Sequence, residues 1–249
     1  MTTLVELDGA ARRFGSGHTE VTALHPPSLT VDAGELLAVM GPSGSGKTTL
    51  LALVGGLDRP SEGRVIVDGL DVGGMKPKQL AILRRRTVGY VFQDLNLLAG
   101  LTARENVSIP LELDGRPLGE ARTAAQAALE SVGLAELGDR YPDDLSGGEQ
   151  QRVAIARALV GGRRILLADE PTGALDSMTG ESVMRLLRAH ADGGGTAILV
   201  THDAAHAAWA DRVVFLRDGR MVDEAHSAST PDDSADAAHR GPSLATSAP

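Results

Sequence analysis

Between Gly41 and Thr49 the chain reads Gly-Pro-Ser-Gly-Ser-Gly-Lys-Thr-Thr, and its lysine is one of only three in the protein, with Lys76 and Lys78. Glycines lack the Cβ that would keep successive backbone N–H groups from converging on one anion. A helix starting at the lysine would add its own unpaired N–H groups and the positive end of its dipole. Gly41, Ser43, Gly44, Ser45, Gly46, Lys47, Thr48 and Thr49 are therefore candidates to cradle the phosphates of a nucleotide. Lys47 would bring a full charge to the terminal phosphates, and the Thr48 hydroxyl is a ligand of the kind Mg²⁺ takes.

A second chemical cluster is Ile165-Leu-Leu-Ala-Asp-Glu-Pro171, two carboxylates at the end of an apolar run. At the carboxyl edge of a parallel sheet, where ligands bind, Asp169 would hold the Mg²⁺ shell. Glu170 would polarise a water in line with the γ-phosphate. Val200-Thr-His-Asp203 ends another apolar run and would bring the His202 imidazole to the same edge. His202 and His206 also stand at i, i+4, as in helical zinc sites, but that reading lacks a third ligand and the glutamate of H-E-x-x-H. A third cluster, Leu145-Ser-Gly-Gly-Glu-Gln-Gln-Arg152, is a serine and two glycines opening a helix, a second anion-binding helix start. One nucleotide already has a helix start at Lys47, so a second makes sense if it caps an ATP from the other side.

These groups need a sheet edge to gather them. Glu35 to Met40 reads as a buried strand stopped by Gly41, and Thr48 to Val54 as the helix that follows. Val65–Val67 with Asp68-Gly69 is a strand and turn, and Val88 to Phe92 another strand. Thr102 to Leu113, Leu118 to Val132 and about Gly148 to Val160 read as helices, a helical insertion. Ile165 to Ala168 is then a strand, Ser177 to Ala191 a helix ended by three glycines, and Thr196 to Val200 a strand. Val213 to Leu216 with Asp218-Gly219 suggests a closing hairpin. The alternation of strands and helices predicts an α/β P-loop NTPase with a parallel sheet. Its core would run over about 1–94 and 161–225, with a helical subdomain over about 95–160. Residues 226–249 are Ala, Ser, Asp, Thr and Pro with almost no large apolar side chain, and read as a disordered tail.

At 249 residues the chain has room for one such unit. Its formal charge of −9 argues against a nucleic-acid binder. The absence of cysteine excludes disulfides and thiolate chemistry. No stretch approaches the ~20 apolar residues that span a bilayer, and the N-terminus lacks the apolar core of a signal peptide.

The segment Leu145–Arg152 resembles the LSGGQ-type signature of ABC ATPases, and other elements of that family follow in order. Gln93, after the strand ending at Phe92, is similar to the Q-loop glutamine that senses Mg²⁺ and the membrane partner. Ala174-Leu-Asp176 resembles the D-loop, His202 the switch histidine at the γ-phosphate, and Phe14 the aromatic that stacks on adenine. The resemblance covers roughly residues 4 to 224. It implies a RecA-like core with an added antiparallel β subdomain and an inserted helical subdomain. It also implies ATP and Mg²⁺ as ligands, with Ser146, Gly147, Gly148, Glu149 and Asp176 completing the ATP site of a second copy in a head-to-tail dimer. Glu170, His202 and Lys47 would be the catalytic residues, and Thr48, Gln93 and Asp169 the metal ligands. A membrane permease is the implied partner, met by the face from Leu95 to Val160, which places the chain at the cytoplasmic side of the membrane. Val91–Leu98, Ala168–Gly173 and Leu175–Ser177 further resemble the branch serving macrolide exporters and lipoprotein release. A related branch regulates wall hydrolases in cell division, so a regulatory ATPase that moves no solute stays open beside a transport motor. Ala174, where asparagine is expected, and Asp143-Asp144 before the signature depart from that branch.

Overall fold

Strands buried on both faces must be apolar throughout, and their alternate side chains must feed two different cores. The computed structural model shows this for Leu36–Met40 (β4 below): Leu36 and Ala38 join one cluster, Leu37 and Val39 the other. The structure describes residues 2–173, 175 and 177–226, with 177 and 226 by backbone alone. Ala174 and Asp176 of the expected D-loop and residues 227–249 of the expected tail lie outside the described residues.

In chain order the elements are β1 (Thr3–Phe14), β2 (Val21–Leu24), β3 (Ser28–Asp32), β4 (Leu36–Met40) and α1 (Lys47–Val54). Then come β5 (Glu62–Val67), β6 (Leu70–Asp71), α2 (Pro77–Arg86), β7 (Val88–Val91), α3 (Ala103–Leu113), α4 (Leu118–Ser131) and α5 (Gly147–Leu159). The chain continues with β8 (Ile165–Asp169), α6 (Ser177–Asp192), β9 (Thr196–Val200), α7 (Ala204–Ala207), β10 (Arg212–Arg217) and β11 (Arg220–His226). The expected strands and helices are present, with ends moved by a residue or two except at β5, which begins three residues earlier, at Glu62. Phe92 falls outside its strand, and α5 opens at Gly147 rather than Gly148. His226, read as the start of the tail, is the last residue of β11 and pairs with Arg212. Strand pairing, which has no local signature, decides that boundary.

The larger sheet has the order β11-β10-β4-β9-β8-β7, parallel except for the β10–β11 hairpin. Its register positions the chemistry. Val39 is level with Val200, and Asp169 with Val200, while Val91 is level with Ala168. The segments that follow, starting at Gly41, Thr201, Glu170 and Phe92, therefore leave one carboxyl edge together. The second sheet is antiparallel, β2-β1-β5-β6 with β3 also on β1, and it covers α1. On the other face, α3, α4 and α5 pack on one another, filling a core with Val107, Leu129, Val153 and Ile155. Thr102 caps α3 with a capping box: Glu105 N–H donates to its hydroxyl at 3.3 Å, and Glu105 Oε2 accepts from Thr102 N–H at 3.0 Å.

Candidate nucleotide site

The loop between β4 and α1 is shaped by backbone that only glycine allows. Gly46 has φ +101°, and a Cβ there would stand 2.4 Å from the carbonyl oxygen of Ala23. At Gly41, with φ +150°, it would stand 2.1 Å from that of Leu216. Both positions thus fix the loop against β2 and β10 as well as opening it to a ligand. Gly46 caps α1 without any side-chain hydrogen bond, so the first N–H groups of that helix are not taken by a capping side chain. Lys47 Nζ folds back on the loop, donating to Gly41 O at 2.8 Å and Pro42 O at 2.9 Å. Ser45 Oγ is buried with no hydrogen-bond partner, a polar atom placed for an incoming oxygen.

This loop forms one wall of a cavity of about 650 Å³, closed on the other side by Gln93, Asp94, Gln151, Asp169, Glu170 and His202. Burial raises the pKa of Asp169; a hydrogen bond from Thr48 opposes the shift, Glu170's charge adds to it and Lys47's charge counters it. A carboxylate so desolvated favours a positive charge at its side. Glu170 has a left-handed φ of +47°, uncommon for a residue with a side chain and a form of strain that concentrates at functional sites. Its N–H continues the sheet to Val200 O at 3.0 Å, and its carbonyl accepts from Gly173 N–H at 3.2 Å. The strained residue is therefore held from both ends. Its Oε2 lies 2.9 Å from His202 Nδ1. That bond, reinforced by the same charge, holds the His202 pKa above the ordinary imidazole value, although the side chain is 72% exposed.

Gly41, Ser43 to Thr49, Gln93, Asp169, Glu170 and His202 are thus brought together. Ser146 to Glu149 and Phe14 are not among the residues around the cavity. Phe14 ends β1, half exposed, with the Arg12 guanidinium 4.4 Å above its ring. Ser146 to Glu149 form the first turn of α5, where Gly148 lies against Thr179 of α6. Here Glu149 Oε2 accepts from Ser146 N–H and Oγ, both at 2.8 Å, and Glu149 N–H donates to Ser146 Oγ at 3.4 Å. The i, i+4 histidines do not make a metal centre: His206 Nδ1 is 3.0 Å from Thr172 Oγ1, and the described residues hold no group of three or more His, Cys, Asp or Glu suited to an ion. Sequence reasoning missed Asp94 and Gln151 on the cavity wall. It also missed Asn106, whose side chain bonds Leu98 N–H and the carbonyls of Leu98, Leu101 and Thr102 beyond Gln93.

A glycine loop between strand and helix, a lysine at the helix start and an acid pair on the same sheet edge, at the end of β8 with β9 between it and β4, define a P-loop nucleotide hydrolase. Residues 24–173 match the family model described as ABC transporter. Relatives include the macrolide export ATP-binding/permease protein MacB of Azoarcus sp. (strain BH72), 50% identical over 221 residues, and that of Hyphomonas neptunium, 49% identical over the same length. In both, the match takes in 89% of this chain and 34% of the relative, so the chain spans about a third of their length. Among solved structures, the dimeric post-hydrolysis state of the ATP-binding cassette MJ0796, bound to ADP and Pi, superposes with a TM-score of 0.85 at 40% identity. That match covers 91% of this chain and 100% of the cassette. The chain belongs to the ABC transporter family, as one of its ATPase cassettes. No helix among the described residues is long and apolar enough to cross a membrane.

Proposed function

We propose that this cassette binds ATP with Mg²⁺, closes head-to-tail on a second copy, and uses hydrolysis to drive a membrane permease in export. The observation that carries this reading is a division within one chain. Its phosphate loop and acid pair line one cavity, while its other anion-suited helix start, at Ser146, faces elsewhere. A second copy turned head-to-tail would place Ser146, Gly147, Gly148 and Glu149 over the ATP held by the first, with Asp176 beside it and Phe14 against the adenine. MJ0796, described as a dimer, supports pairing of two copies.

In this reading Lys47 leaves the carbonyls of Gly41 and Pro42 for the terminal phosphates, joined by the free N–H groups of α1 and by Ser45 Oγ. Thr48, Gln93 and Asp169 would hold Mg²⁺, and the desolvated Asp169 carboxylate fits that charge. The ion would neutralise charge on the β- and γ-phosphates. Glu170 accepts a hydrogen bond from the attacking water, and His202 turns from Glu170 to the γ-phosphate. Residues 1–94 and 161–225 act as the ATPase core and 95–160 as the helical unit that moves against it. The groove between them, lined by Leu57, Tyr90, Phe92, Pro110 and Leu113 with Arg84 at its side, suits a permease segment at the cytoplasmic face of the membrane. The names of the relatives support macrolide-type export, with lipoprotein release the neighbouring option.

Glu170→Gln is the test. It should keep ATP affinity, slow hydrolysis by ~10²–10⁴-fold, and yield an ATP-dependent dimer in light scattering that captures a polytopic membrane protein from detergent extracts. Normal turnover would remove Glu170 from its role. A variant that stays monomeric with ATP bound would overturn the dimer, and a closed dimer that captures only soluble proteins would overturn the transport reading.

A further inference from the structure

Helix α5 works on two sides. Its first turn is the signature, locked by the Ser146–Glu149 box, and Gln150 secures the turn before it by donating to Pro142 O at 2.9 Å and Leu145 O at 3.1 Å. The next residue, Gln151, points elsewhere. It is 5% exposed, it lines the chain's own nucleotide cavity with Gln93, Asp94, Asp169 and Glu170, and its amide Nε2 has no hydrogen-bond partner. A buried donor without an acceptor destabilises the fold it sits in, and an apolar side chain of the same length would fill the place without that cost. Its persistence in a catalytic wall asks for an acceptor that comes and goes.

Gln93 supplies one. It is exposed on the segment after β7 and lines the same cavity, and its side-chain oxygen is an acceptor. The segment is already tied to α5 beyond that point. Arg157 donates through Nη2 to Leu95 O at 2.5 Å and through Nη1 to Asn96 O at 2.6 Å. Leu95 and Asn96 both take left-handed φ, +57° and +49°, so the chain turns sharply just after Gln93 and Asp94. Before that turn Leu95 N–H donates to Phe92 O at 3.0 Å, so the backbone around Gln93 is closed and its exposed side chain is the part that can turn toward a nucleotide.

We propose that Gln151 is a positioning residue of this chain's own ATP site. Its carboxamide N–H bonds the side-chain oxygen of Gln93 once ATP draws Gln93 inward. A ligand side chain is oriented by a hydrogen bond from behind, and such supporting partners set its angle. Because Gln151 and Ser146 share one helix, the bond also links the ATP a chain holds to the signature it offers its partner. The proposal rests on the nucleotide reading above.

The experiment compares full-length wild type, Gln151→Leu, Gln93→Leu and the double variant by thermal melting without nucleotide, ATP affinity with Mg²⁺, and steady-state kinetics. Gln151→Leu should melt at or above the wild-type temperature and bind ATP within about threefold, yet lose about 10- to 100-fold in kcat. The double variant should be no slower than Gln93→Leu alone, because the two act through one bond. Gln151→Met serves if the leucine variant folds poorly. A raised melting temperature with kcat within about twofold of wild type would make Gln151 a tolerated orphan. Losses that multiply in the double variant would detach it from Gln93, and a fall in both melting temperature and ATP affinity would make it merely structural. Wild type that binds no ATP would overturn the nucleotide reading itself, an outcome distinct from the other three.

Discussion

The two helix starts suited to phosphate, at Lys47 and at Gly147, are finished in opposite ways. Gly46 leaves α1 without a side-chain cap, and its donors look into a cavity with a lysine at hand. Ser146 and Glu149 close α5 upon itself, so a carboxylate occupies the place where a phosphate would sit. The first start is an open anion site within a single chain. The second is satisfied until something displaces Glu149. In the proposed dimer, this asymmetry lets a chain hold ATP alone but requires Glu149 to give way before the chain closes over a neighbour's, which orders binding before closure.

The largest effect should come from the open side. Among the described residues, Lys47→Ala removes the only full positive charge on the cavity wall apart from a protonated His202. Truncating one member of such a charge-assisted contact costs ~2–5 kcal/mol, or about one and a half to three and a half orders of magnitude in affinity. Isothermal titration with ATP should then show no measurable binding in the micromolar range, with the fold intact by circular dichroism. Undiminished affinity would mean that the loop is not the nucleotide site, and the contrast between the two starts would lose its first half.

That half was legible from residue types alone, because Gly41 to Thr49, Asp169-Glu170 and His202 each follow an unbroken apolar strand, and parallel strands must be apolar. The rest of the fold resisted for physical reasons. β1 carries Gly9 and the polar run Arg12-Arg13, and it becomes a strand through pairing with β2 next to it in the chain and with β3 and β5 farther along. α2 has Lys78 and Arg84 to Arg86 against only two buried leucines, Leu80 and Leu83, too thin a stripe to announce a helix. Gln151 was hidden by its neighbours: within Leu145–Arg152 it reads as part of the signature, and only the docking of α5 shows that it lines the cavity of the phosphate loop.

A smaller effect should come from opening the closed side. Two hydrogen bonds from Ser146, backbone first, hold the Glu149 carboxyl below the usual carboxylate range, so it stays ionised at the start of its helix. Glu149→Gln keeps the box's shape but removes the charge. Carboxylates near helix starts contribute ~0.3–1 kcal/mol, so the free chain should lose that much stability. The ATP concentration needed for dimer formation, measured in the Glu170→Gln background, should fall by about two- to fivefold. Unchanged closure would show that Glu149 does not compete with phosphate, and would make the two starts alike. A lowered carboxylate pKa contributes stability above its unfolded value and loses it as pH falls through the folded one. The melting temperature of the wild type should therefore converge on that of Glu149→Gln in acid.

The smallest effect concerns the contact between the two side chains proposed as catalytic, Glu170 and His202. Glu170 and His202 hold each other at 2.9 Å, and the bond to Glu170 is the first cause of the raised imidazole pKa. A raised histidine pKa contributes stability that is complete below the unfolded value near 6.5 and is lost as pH rises through the folded value. His202 is mostly exposed, so salt screens the contribution and the melting temperature should barely register it. The titration itself should register it clearly. The His202 ring resonances in nuclear magnetic resonance should titrate above the ordinary midpoint in the free protein and move back toward it in Glu170→Gln, whose neutral side chain keeps the shape and drops the charge. Saturating ATP in that same variant should shift the midpoint upward again if His202 turns to the γ-phosphate. A midpoint indifferent to both the substitution and ATP would mean that the pair is an accident of two neighbours on one sheet edge. The open site would then hold its nucleotide without the switch that the geometry provides.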